Sequence, residues 1–151
     1  YKNADVIKQA QIFYKYGISV RYDFILDNPF ETFEESLETI NLMMELPQPY
    51  SMNIFSLKYF PKTDITAKVL NEGLISEEEL SDQTYKEEVN VAITLDNEDN
   101  DRNFINHLAT YISFLSVDSR LKKKEISSIV DNYILHKRVQ PIQEVLKPYL
   151  V

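Results

Sequence analysis

Pro29 sits in the stretch that leaves this chain the fewest options. Residues 22–32 read Tyr-Asp-Phe-Ile-Leu-Asp-Asn-Pro-Phe-Glu-Thr, an alternating apolar pattern that runs into a proline. Proline donates no ladder hydrogen bond and breaks a helix interior, so a strand entering here must finish by Asp27 or Asn28. Thr32 followed three residues later by Glu35 is a capping box, in which each side chain satisfies a backbone donor that the new helix leaves open. A strand that turns at once into a capped helix is half of a βαβ unit.

The flanking sequence completes that unit. Val6, Ile7, Ala10, Phe13 and Tyr14 recur at helical spacing over residues 4–16, with Asn3 placed to cap the start and Gly17 to end it in a left-handed conformation. From Ile18 the period becomes two. Ile18, Val20, Tyr22, Phe24 and Leu26 share one face, and Ser19, Arg21, Asp23, Ile25 and Asp27 share the other. A second helix over residues 33–46 carries Phe33, Leu37, Ile40 and Met44 on one stripe, and Pro47 and Pro49 end it. A second strand is predicted over 51–59, where Met52 and Ile54 alternate with Phe55 and Leu57, as in a strand covered on two sides. A helical connection of this length makes the two strands parallel with a right-handed crossover.

Past Pro61 the sequence turns helical and acidic. A short helix over 64–72 ends at Gly73, Ser76 and Glu79 form another capping box, and apolar positions continue through Val89, Ala92 and Ile93. After a polar break at 97–101, helices are predicted over 102–117, 124–137 and 141–147, with Leu108, Tyr111, Ile112 and Leu115 as the clearest stripe. The fold class is therefore α/β: a two-strand parallel unit followed by a mainly helical region. At 151 residues and 44% apolar content the chain suits one globular domain.

Charge and composition exclude several functions. A net charge of -8 gives no footprint for a polyanion, and Lys122–Lys124 is the one local basic run, so nucleic acid is set aside. The absence of cysteine excludes disulfides, thiolate metal sites and any iron-sulfur cluster held by this chain's own residues. No apolar run reaches membrane length and no signal peptide is seen, which leaves a cytoplasmic location as the default expectation. The first residue is tyrosine, so the sequence reads as cut from a longer protein.

Three features in order carry a resemblance. Asp27-Asn28-Pro29-Phe30-Glu31-Thr32 follows the first strand, Tyr59-Phe60-Pro61-Lys62-Thr63 follows the second, and Glu72-Gly73-Leu74 closes the next helix. Together they resemble the radical SAM superfamily. In that family the fifth barrel strand commonly ends in a Gly-Leu-Pro-Gly-Glu-Thr type turn, and the sixth runs through an aromatic-Pro-Gly-Thr turn into a helix closing with Glu-Gly-Leu. The resemblance implies that residues 1–75 are the C-terminal portion of a partial (β/α) barrel and 76–151 a helical C-terminal extension. It further implies an iron-sulfur oxidoreductase-like enzyme that binds S-adenosylmethionine and a 4Fe-4S cluster in its full-length form. Here Asp27 and Phe30 replace the glycines of the first turn, and the motif Cys-x-x-x-Cys-x-x-Cys is missing, so this chain alone is expected to be inactive.

By the same resemblance Ile25, Asp27, Phe55 and Leu57 are the expected cofactor-binding positions, with residues 55–57 offering backbone hydrogen bonds to adenine. Arg21 and Asp23 would line the lumen toward a small-molecule or peptide substrate. The expected partner is the missing N-terminal half of the barrel, and without it the chain should self-associate or cover its strand edges with its own helices. Other candidates carry less. Glu31, Glu34 and Glu35 suit the start of a helix dipole, and Arg21 and Asp23 also fit a simple ion pair. Asp23 and Asp27 lie roughly 13 Å apart on a strand, too far for a paired acid and base. His107 and His136 have no second ligand at metal spacing and read as solvated, so neither a metal site nor a catalytic residue is assigned. The competing reading is a non-catalytic α/β and helical interaction module with an acidic surface.

Overall fold

Two six-residue strands, β1 (Arg21–Leu26) and β2 (Ser51–Ser56), pair in parallel and in register, Arg21 beside Ser51 through Leu26 beside Ser56. The computed structural model describes residues 2–85, 93, 95, 98–115 and 125–137, and all that follows concerns these. The expected helix over 141–147, Val89, Ala92 and the Lys122–Lys124 run lie outside them. Helix α1 (Asn3–Lys15) precedes β1 and α2 (Phe33–Glu45) connects the strands. Beyond β2 come α3 (Asp64–Asn71), α4 (Glu77–Tyr85), α5 (Asn100–Leu115) and α6 (Glu125–His136).

The local signals act as the chemistry dictates. Thr32 Oγ1 accepts from the Glu35 N–H at 3.2 Å while Glu35 accepts from the Thr32 N–H at 2.8 Å, which closes the capping box of α2. Ser76 and Glu79 repeat the exchange at α4. At Gly17 (φ 66) the Ile18 N–H returns to the Phe13 carbonyl and the Gly17 N–H to Tyr14, and Gly73 (φ 69) does the same with Val69 and Leu70. Both are Schellman ends that satisfy carbonyls a helix leaves open. Leu46, forced extended by Pro47, ends α2. One cap differs from expectation. Lys2 caps α1, its N–H held by Asp5, and Asn3 is already helical.

Among the described residues the two buried clusters lie on one face of the sheet. Leu26, Ile40 and Met43 join Phe104, Leu108, Tyr111, Ile112 and Tyr133 in a single buried cluster, with Phe24, Met52 and Ile54 packed against it. A smaller cluster of Ala10, Leu46 and Tyr50 seats α1 on Tyr22 and Phe24. The helices line up across the sheet as α1, α2, α5: α1 touches α2, α2 touches α5, and α5 also covers β2. Residues on both sides of position 75 thus share one core. Each such side chain contributes roughly 1.5–3 kcal/mol by leaving water.

Two expectations require correction here. Among the described residues the helical core takes only Met52 and Ile54 of β2, and Phe55 on the other face is half-buried outside it. His107, expected in solvent, is buried, whereas His136 is exposed. The reason is that residues 104–112 of α5 are buried without a break, so this helix has no solvent face at its centre. No helix among the described residues is long and apolar enough to cross a membrane.

Candidate functional site

The sheet face turned away from the helices is the first candidate. Alternation along β1 sends Tyr22, Phe24 and Leu26 to the core and Arg21, Asp23 and Ile25 outward, beside Ser51, Asn53 and Phe55 of β2. Asn53 Nδ2 donates to Asp23 at 2.7 Å across the strands. The carboxylate expected to pair with Arg21 is therefore engaged by an amide, and Arg21 makes no ion pair among the described residues. Ile25, 62% exposed, lies beside Phe55 and forms with it a small apolar shelf between the polar pair and the strand ends. The Leu57 N–H is taken by the Leu26 carbonyl at 2.8 Å, and ladder alternation commits the Phe55 backbone to β1 as well. What Phe55 offers to the open side is thus its ring and not its backbone, contrary to expectation.

Asp27 does not belong to that face. It leaves the strand with φ 64, a left-handed conformation that asparagine and aspartate tolerate better than most residues. Its carboxylate swings to the helix side, where Ser56 Oγ and Asn106 Nδ2 of α5, the latter at 2.8 Å, both donate to it. The expected alignment of Asp27 with Arg21 and Asp23 fails because the strand stops one residue earlier than its polarity pattern.

Asp27 opens instead onto a cleft of about 210 Å³ between the starts of α2 and α5, also lined by Asn28, Glu31, Asp101, Arg102 and Asn106. The turn below it is fixed locally: Asn28 Oδ1 accepts from the Phe30 N–H at 3.2 Å, and Lys68 of α3 lies 3.6 Å over the Phe30 ring. Asp99 accepts from the N–H groups of Asp101 and Arg102 and so caps α5. Burial raises the Tyr59 phenol above its ordinary range, Arg102 opposes this and Asp27 adds to it.

Behind the cleft, α6 is fastened through one carboxylate. Asp101 accepts at 2.6 Å from both the Tyr133 hydroxyl and Lys137 Nζ. Desolvation pushes the Asp101 pKa up, but the two donors outweigh it and hold the group below its usual value. Tyr133 is fully buried and stacks on Phe104 at 3.8 Å between centroids. Burial first, then the bond to Asp101, raises its phenol well above the ordinary range. Glu35, whose backbone and hydroxyl bonds to Thr32 lower its pKa, is held as the capping group of α2.

Sequence reasoning missed Ser56 and Asn106 as partners of Asp27, Arg102 as part of the cleft, and Asp101 with Tyr133. The available signal was Asn106 itself, an amide that falls with His107 and Thr110 inside a mostly apolar run. No group of three or more histidine or acidic side chains among the described residues is arranged to hold a metal ion. No family model, curated protein or solved structure matches the chain. The fold and site define a mixed α/β protein whose two-strand parallel sheet packs helices on one face, the other face carrying the exposed Arg21, Asp23 and Ile25.

Proposed function

We propose that this chain is the C-terminal part of a radical SAM-type partial barrel and that the open sheet face is its lumen. The observation that carries the reading is the backbone at two turns. The resemblance places glycine where this chain has Asp27 and Lys62, and among the described residues these are two of three non-glycine residues with positive φ, at 64° and 70°. A left-handed residue after each strand is what a glycine at that place supplies. At Phe30, the third glycine position, φ is not positive, so the correspondence holds at two glycine positions of three. The one-sided sheet fits as well, because a barrel strand packs helices outside and turns its polar face inward.

The cofactors fit unequally. With no cysteine, this chain supplies no ligand to a 4Fe-4S cluster, which would be held elsewhere in the full-length protein. For S-adenosylmethionine, Ile25 and Phe55 offer an apolar shelf of the kind that accepts an adenine face, and Arg21 and Asp23 flank it toward the substrate side. Asp27 contributes by fixing the turn and not by touching the cofactor, since its carboxylate is already held by Ser56 and Asn106. Leu57 closes the ladder. Radical chemistry would be the cofactors' own, with this chain's residues binding and orienting. The test is the reading frame upstream of Tyr1. Three cysteines spaced Cys-x-x-x-Cys-x-x-Cys, roughly 100 to 200 residues before it, are expected from barrel size, and their absence refutes the proposal.

A further inference from the structure

We infer that the pocket at the entrance of β1 binds a small molecule carrying a planar aromatic ring and a carboxylate. The pocket encloses about 420 Å³, within the roughly 300–1,000 Å³ of small-molecule sites, and has twice the volume of the cleft beside Asp27. It lies where α1 ends and β1 begins, so the length of the strand, roughly 20 Å, separates it from the Asp27 turn. It is outside the proposed lumen. Two of its walls are preformed. The buried Tyr50 donates its hydroxyl to the Met43 carbonyl at 3.0 Å, and the Tyr22 ring meets Tyr50 edge to face at 5.5 Å between centroids. Pro47 and Pro49 add rigid apolar surface. Tyr14 and Ile18 also line the pocket and are 57% and 52% exposed, an aromatic and an aliphatic surface left to water. An aromatic ring seated among these side chains takes apolar area of both partners out of water.

Charge selects the substituent on that ring. The chain carries 24 acidic residues against 16 basic, yet among the described residues no carboxylate lines this pocket and Lys15 is its one charged group. Burial pushes the Tyr22 phenol up, and burial with the neighbouring Tyr22 pushes Tyr50 to about 12, so neither adds a negative charge at neutral pH. Lys15 makes no ion pair among the described residues, and its Nζ lies 5.8 Å from the Tyr16 ring, near the limit of a cation–π contact. The carbonyls at the end of α1 would repel an anion, but those of Ile12, Phe13 and Tyr14 accept from the N–H groups of Tyr16, Gly17 and Ile18. A carboxylate beside Lys15 is thus favoured, and an ammonium group is not.

Calorimetric titration of the complete gene product with naphthylacetate, its neutral amide and naphthylethylamine tests this, whatever the upstream cysteines show. The acid should bind with a Kd below about 1 mM and at least about threefold more tightly than the amide, the size of an exposed charge pair, with the amine weakest. Its preference over the amide should vanish in about 1 M salt and in Lys15→Met, a change at an exposed position that should leave the melt unaltered. Tyr14→Ala, also at an exposed position, should weaken acid and amide alike by at least about fivefold. An acid that fails to bind, binds no better than the amide or the amine, or keeps its preference in Lys15→Met overturns the inference. Where no probe binds and Tyr14→Ala lowers the thermal midpoint by more than about 5 °C, preceding polypeptide fills the pocket instead. Binding that weakens as protein concentration rises assigns it to a second copy, which overturns the inference as well.

Discussion

Replacing Asp27 separates what its carboxylate does from what its backbone does. Both Asp27→Ala and Asp27→Gly remove the acceptor that Ser56 and Asn106 share. Hydrogen bonds to a charged group contribute about 1.5–3 kcal/mol each, and at a half-buried site the pair should cost about 2–4 kcal/mol in either variant. The two then differ only in backbone terms. Alanine held at φ 64 carries roughly 1–2 kcal/mol of left-handed strain, whereas glycine loses roughly 0.5–1 kcal/mol through its freer unfolded chain. Asp27→Gly should therefore be the more stable of the two by about 0.5–1 kcal/mol, the reverse of the order in a helix or strand interior. Urea unfolding with unchanged slope measures this directly. An alanine variant as stable as the glycine one, or more so, refutes the left-handed turn and with it the main support for the proposed family.

Lys62→Gly should stabilise the chain by about 0.5 kcal/mol in the same assay, because Lys62 is exposed and left-handed without a carboxylate to lose. Tyr133→Phe removes a donor from Asp101 and should cost about 1–2 kcal/mol at neutral pH. Since the folded Asp101 pKa is depressed, its contribution is full above the unfolded value near 3.8 and fades as pH falls below it. Acid unfolding followed by circular dichroism should accordingly show a shallower loss below about pH 4 in Tyr133→Phe. An identical acid limb in both proteins counts against the fastening of α6 through Asp101. Val20→Ala, on the half-buried core side, should cost about 1–3 kcal/mol of stability and, under the proposed function, leave S-adenosylmethionine cleavage by the complete gene product little changed. Arg21→Ala should behave oppositely, with turnover down at least about tenfold, or roughly 1.4 kcal/mol of barrier, and the melt unchanged.

The parts of the fold legible in the sequence are those written in neighbouring residues. Capping boxes at Thr32 and Ser76 and left-handed ends at Gly17 and Gly73 involve partners within five positions, so their residue types announce them. The two faces of β1 were readable for the same reason, as far as Leu26. Asp27 was misplaced because polarity continues the alternation while the backbone does not. What fixes it, Asn106, lies 79 residues away. His107 was misjudged because periodicity reveals one apolar stripe, whereas a helix enclosed by α2, β2 and α6 buries its polar positions too. The shared core across residue 75 was hidden by the acidic, weakly apolar run of α4, which reads as a change of region.

The central claim, that the open face of β1 and β2 belongs to a radical SAM-type lumen, is tested most directly by 5′-deoxyadenosine formation. The complete gene product, reconstituted anaerobically with iron and sulfide and given a reductant and S-adenosylmethionine, should form it. The 151-residue chain treated identically should form none and show no iron-sulfur absorbance, because it has no cysteine. A reconstituted gene product that leaves S-adenosylmethionine intact, or a 151-residue chain that turns brown and cleaves it, contradicts the account.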